Sequence, residues 1–176
     1  MQKIIVQIEY KDKKTSSGKF LDGIIYLRIS NRISREEQDK HIVLLKQNIL
    51  RKKNLSEKIQ FDPPKTGTWD DESLRLLAEE INSAYYFLLL DDICFHKQSA
   101  TWGTCSIRKK KIYISKRLLN APEDLMRYIV THELCHLAEP SHNKRFWQLV
   151  SRACPDHKNM RKRLKAYGYL TATPNI

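Results

Sequence analysis

The residues with the most chemical potential in this chain lie within positions 131–142, THELCHLAEPSH. His132, Glu133 and His136 form the pattern H-E-x-x-H. Two histidines four residues apart rise on one helix face, about 40° apart around the axis, where both imidazoles can reach one metal ion. The glutamate beside them is then placed to take a proton from a water on that metal. Pro140 lacks an amide hydrogen and disfavours a helical Glu139, so the helix should end there and the chain turn back. Ser141 is a candidate cap for a second helix whose first turn carries His142, and that turn offers a third imidazole. Four side chains close a structural zinc site, whereas three leave the position for water that a catalytic site needs. The pattern therefore predicts one zinc ion per chain at His132, His136 and His142, with Glu133 as general base. Cys135 projects from a different face and is read as a packed, inert thiol.

The helix carrying these residues is indicated independently of them. Asn120 can cap it, Pro122 suits its first turn, and Glu123 and Asp124 favour a helix N-terminus. Leu125, Ile129 and Val130 broadly face away from the histidines. Upstream, KIIVQIEY alternates Ile4, Val6, Ile8 and Tyr10 on one face, and FLDGIIYLRIS is a second β-rich run after the turn signal KKTSSGK, so the two read as a hairpin. Ser34 and Glu37 make a capping box before Ile42, Leu45 and Ile49, which predicts a helix to about Lys53. A further amphipathic helix, marked by Leu74, Leu77, Ala78, Ile81 and Leu88, is expected from about Asp71 to Leu90. Short strands fit ICFHK, TWGTCSI and KIYIS, with the basic RKKK at the tip between the last two. The Pro- and Gly-containing stretch FDPPKTGTWDD is the natural boundary. It divides the chain into residues 1–66, a hairpin plus helix packed on the catalytic part, and residues 67–176, the catalytic part itself.

Two motifs carry a resemblance to a known family. Trp102 to Ser106, WGTCS, and the run HELCHLAEPSHNKRFWQLV followed by PDHKNMRKRLKAYG make Ser99 to Tyr169 resemble the YgjP-like metallopeptidases, relatives of the SprT and Wss1 zinc proteases. The opening of the chain resembles that family more weakly. Thr104 replaces the family's usual serine, and SIRKKKIYIS is longer and more basic than expected after WGTCS. The resemblance implies His132, His136 and His142 as zinc ligands and Glu133 as catalytic acid/base. It implies an α+β, zincin-like fold, with a small antiparallel or mixed sheet packed on the H-E-x-x-H helix and an N-terminal β-hairpin and helix. Metzincins share the His136 to His142 spacing, but Glu139 stands where their glycine turns and no Met-turn comes after it.

In such an architecture KIYIS, Lys111 to Ser115, is the candidate edge strand for pairing with an extended protein or peptide substrate. Gly103 allows close backbone approach near the metal helix, with Trp102 against a hydrophobic wall. Phe146 and Trp147 are read as core anchors for His142, and Tyr128 and His157 as candidate oxyanion donors or partners of the ligands.

Composition limits the alternatives. A 41% hydrophobic content over 176 residues allows a real core. The beginning of the chain lacks the apolar block of a signal peptide, and the run from Ala84 to Leu90 is far too short to span a membrane, so a cytoplasmic protein without membrane attachment is expected. Cys94, Cys105, Cys135 and Cys154 contain no C-x-x-C pair, which argues for reduced thiols. The net charge of +12, from 32 Lys and Arg against 20 Asp and Glu, favours anionic partners. Clusters at Arg51–Lys53, Arg108–Lys111 and Lys158–Lys165 are candidate nucleic-acid contacts. Two rivals stand beside a zinc peptidase: a metal-dependent nucleotide pyrophosphatase, which no Gly-rich phosphate loop supports, and a nucleic-acid-associated protease or binding module.

Overall fold

The computed structural model describes residues 4–21, 23–62 and 67–171. It is an α+β protein that divides into two compact units, Met1–Gln60 with Leu164–Ile176, and Phe61–Arg163. Residues 63–66 and the expected boundary at 66/67 lie outside the described residues.

In the first unit β1 (Ile5–Lys11), β2 (Ser17–Leu21) and β3 (Ile24–Ser30) form a sheet of order β1-β3-β2. The hairpin differs from the expected one. It joins β2 to β3, antiparallel through a turn in which Gly23 has φ +76°, while β1 runs parallel to β3. Its β-rich composition makes FLDGIIYLRIS look like one strand; its internal Asp-Gly is the stronger sequence signal, and Gly23 takes the left-handed conformation such a turn needs. Because β1 is an edge strand, Ile8 and Tyr10 stay 41% and 54% exposed. Helix α1 (Arg35–Glu57) starts at the Ser34–Glu37 capping box, both halves of which are formed, and continues past Lys53. Ile49 from α1 joins Phe20, Ile25, Leu27 and Ile29 in the core, with Ile42 and Leu45 packed against it.

The second unit holds α2 (Asp71–Tyr85), β4 (Asp92–His96), β5 (Gly103–Ser106), β6 (Lys111–Ser115), α3 (Glu123–Ala138), α4 (Lys144–Ala153) and the start of α5 (His157–Leu170). Leu74, Leu77, Ala78 and Ile81 of α2 are buried as their spacing predicts. The helix nevertheless stops at Tyr85 instead of Leu90, because Phe87 turns to φ +54° and Asn82 clamps the turn. The Asn82 amide donates to the Leu88 carbonyl at 2.8 Å and its oxygen accepts from the Leu88 amide at 2.9 Å. The second sheet has the order β4-β6-β5, with β4 parallel and β5 antiparallel to β6. The basic run RKKK does sit at the β5–β6 turn. β6 is the central strand, however, paired on both sides, so it has no free edge for substrate; the strand that has one beside α3 is β5. Among the described residues no helix is long and apolar enough to cross a membrane.

Candidate metal centre

The centre begins on α3. Glu123 and Asp124 sit at its positive end, and Leu125, Met126, Ile129, Val130 and Leu134 are buried along it. Its N-cap is Pro122, not Asn120, whose side chain instead accepts from the Thr68 hydroxyl at 3.1 Å. The helix ends at Ala138, and Glu139 is extended (φ −143°, ψ 105°), as the proline after it requires. Here the chain turns back, but Ser141 does not cap α4. Its hydroxyl donates to Glu139 Oε1 at 3.1 Å, and Asn143 caps the helix by accepting from the Phe146 amide at 3.1 Å. His142 therefore stands on the turn just before α4 rather than in its first turn.

The turn brings the three imidazoles together: one ligand atom each from His132, His136 and His142 lies within 4.8 Å of the others. Phe146, fully buried, sets their spacing. Its ring centroid is 4.8, 4.5 and 4.7 Å from those of His132, His136 and His142. Trp147 is only half-buried, and it holds His142 by more than packing. Its ring stacks on that imidazole at 5.8 Å and 27°, and its indole N–H donates to the His142 carbonyl at 3.1 Å. The signal for this role in the sequence is the indole N–H itself, which needs a partner that a plain core anchor would not supply.

The donor set suits a cation. Burial pushes the His132 imidazolium down to about 3, helped by repulsion from His136, His142 and Arg161, so the ring is neutral at ordinary pH. Burial also lowers His136. His136 Nδ1 lies 3.1 Å from the Glu139 carbonyl, which can only accept, so Nδ1 carries the hydrogen and Nε2 keeps its lone pair. His132 Nε2 and His142 Nε2 are 3.0 Å apart, and His132 Nδ1 is buried with no hydrogen-bond partner among the described residues. Ring nitrogens crowded this closely, one of them beside an orphaned buried atom, fit residues that share a borderline-soft metal ion.

Glu133 is 5% exposed, and burial pushes its carboxyl up to about 7. β5 lies against it. A Cβ added to Gly103 would sit 2.5 Å from Glu133 Oε1 and 2.7 Å from its Cδ and Cγ, so glycine is what admits this side chain. The close approach expected of the WGTCS motif thus has a specific object. Trp102 carries the Arg117 guanidinium 4.0 Å above its ring. Cys135 is fully buried, and burial pushes its thiol up to about 11, in keeping with an inert, protonated group. Tyr128 is buried edge-on to the His132 ring at 6.1 Å, and its hydroxyl is pushed up to about 12. His157 stacks on Trp147 at 5.2 Å, away from the imidazole cluster's own ring contacts. Within the basic clusters several charges are already paired: Lys53 with Glu57, Lys111 with Asp92 at 3.7 Å, and Arg163 with Asp124 at 2.9 Å.

Three imidazoles that converge within 4.8 Å, with a buried carboxylate one residue from the first, could hold a metal ion. The YgjP-like, metallopeptidase domain model matches residues 72–167, and the chain belongs to that family. A curated relative, the UTP pyrophosphatase of Escherichia coli (strain K12), is 42% identical over 52 residues, which cover 30% of this chain and 31% of that protein. The match thus spans about a third of the relative's length. Two solved structures are similar. The zymogen of Pyrococcus abyssi abylysin, a metallopeptidase, is 25% identical at a TM-score of 0.44, covering 53% of this chain and 90% of that one. The zymogen of Methanocaldococcus jannaschii jannalysin is 21% identical at 0.47, covering 55% and 96%.

Proposed function

We propose that this protein is a zinc-dependent peptidase of zincin-like architecture, in which His132, His136 and His142 hold the ion and Glu133 is the general base. The observation that carries the reading is the convergence of three imidazoles within 4.8 Å beside a buried carboxylate. Bound zinc would supply a Lewis acid that acidifies water and polarises a carbonyl oxygen. The residues of the chain do the rest. His136 is held in one tautomer by the Glu139 carbonyl. Phe146 fixes all three rings and excludes water behind them. Glu133, seated against Gly103, accepts a proton from the attacking water and returns it to the leaving amine. The free edge of β5 then offers main-chain groups to an extended peptide, the role that the sequence pattern suggests for β6.

The name of the curated relative favours a second reading, metal-dependent hydrolysis of a nucleoside triphosphate. One experiment separates the two. Zinc-loaded wild type and Glu133→Gln are each incubated with unfolded protein and with UTP. The peptidase reading expects cleavage of protein by the wild type, reduced about 10²- to 10⁴-fold in the variant. Hydrolysis of UTP with no cleavage of protein would establish the other reading.

A further inference from the structure

Lys144 on α4 and Lys158 and Arg161 on α5 face one open cleft of about 560 Å³, with Trp147, Gln148 and His157 among its other walls. That volume lies within the usual range of small-ligand sites, about 300–1,000 Å³. Lys158 and Arg161 are three residues apart and so share a helix face. Among the described residues none of the three cations has a carboxylate partner, whereas Arg163, two residues after Arg161, is paired with Asp124. Three uncompensated positive charges in one concavity repel each other, and an anion offsets that cost.

The cleft shares a wall with the metal centre. Trp147 lines it, while the same ring stacks on His142 and lies 6.0 Å from the His132 ring. Arg161 sits 5.6 Å from the Trp147 ring centre. A group bound among these cations is therefore one indole's width from the imidazoles.

The surroundings suit a carboxylate on a flexible side chain better than a nucleotide. The Trp147 ring already stacks on both His142 and His157, so it offers a nucleobase little. No glycine occurs between Lys144 and Arg161 to build a backbone phosphate cradle. Long, mobile lysines and an arginine on two helices instead reach a carboxylate that is itself flexible.

We infer that this cleft is an anionic substrate subsite, which selects peptides carrying an Asp or Glu side chain a few residues from the bond to be hydrolysed. The inference rests on the peptidase reading for its substrate, and its test is binding, which does not require turnover. Zinc-loaded Glu133→Gln protein is titrated with labelled peptides that differ only by Glu versus Gln at each position in turn. The Glu form is expected to bind about tenfold more tightly at one position. That preference should vanish in Lys144→Gln/Lys158→Gln/Arg161→Gln, persist in Lys144→Arg/Lys158→Arg/Arg161→Lys, and persist in Arg108→Gln/Lys109→Gln/Lys110→Gln, which removes as much charge elsewhere. Equal affinity for Glu and Gln peptides at every position would overturn the inference. So would an equal loss in the two charge-removing variants, which would mark a general field, or UTP competing for the cleft while acidic peptides do not. Wild-type turnover of the same peptides is read separately. Cleavage without a charge preference would remove the subsite and keep the peptidase, and charge-selective binding without cleavage would do the reverse.

Discussion

The two sheets among the described residues are built alike. In each, the first strand runs parallel to the third, and the second lies antiparallel to the third on its other side. Each second strand also carries a glycine against which a helix side chain is pressed. At Gly18 of β2 an added Cβ would meet Ile49 Cδ1 of α1 at 2.9 Å and Leu27 Cδ2 at 2.7 Å; at Gly103 of β5 it would meet Glu133 of α3. One backbone arrangement thus seats an isoleucine in one unit and a carboxylate in the other. Burying the isoleucine is favourable by roughly 1.5–3 kcal/mol. Burying the carboxylate is unfavourable to its charged form, which is why its pKa rises to about 7. The first glycine admits an apolar side chain, and the second admits a buried carboxylate whose charged form is costly.

This contrast has measurable consequences. The largest is expected from Glu133→Gln, which should leave metal content and thermal stability intact and reduce turnover about 10²- to 10⁴-fold. Next, Gly103→Ala should displace Glu133 without touching a histidine. A shift on the ångström scale costs about 100-fold in turnover, so kcat should fall by about that much while zinc stoichiometry is unchanged. In the apolar unit the readout reverses. Ile49→Ala should cost about 2–5 kcal/mol in denaturant unfolding and leave turnover per folded molecule as it was. Gly18→Ala overlaps the ends of two side chains and reaches the Tyr26 carbonyl oxygen only at an ordinary 3.4 Å, so its cost should be nearer 1 kcal/mol, with no effect on activity. The smallest effects belong to the surface ion pairs, Arg28 with Glu9 at 3.3 Å within the first sheet and Arg75 of α2 with Asp92 of β4 at 3.1 Å in the second unit. Alanine at either arginine should change stability by less than about 1 kcal/mol.

Local chemistry makes much of this legible. The Ser34–Glu37 box, the apolar spacing of Leu74, Leu77, Ala78 and Ile81, the stop before Pro140 and the need for a small residue at Gly103 all come from neighbours in sequence or from one backbone constraint. The rest is decided elsewhere in the chain. The parallel pairing of β1 with β3 and the central place of β6 are long-range choices that alternation of apolar residues does not encode. α2 ends early because Asn82 clamps a turn at Phe87, although the apolar run continues as though helical. Ser141 loses the cap to Asn143 because its hydroxyl is taken by Glu139. The helical spacing of Trp147 marks it as packing, yet it is only partly buried, and it both holds His142 and lines the basic cleft.

The most direct measurement is the zinc content of the purified, metal-reconstituted chain beside that of His136→Ala, with circular dichroism to show that both are folded. One ion per wild-type chain is expected, with strongly weakened binding in the variant, since removing one of three imidazoles leaves the ion two protein ligands. A folded wild type that takes up no zinc, or a variant that binds it as tightly as the wild type, would contradict a metal centre at His132, His136 and His142.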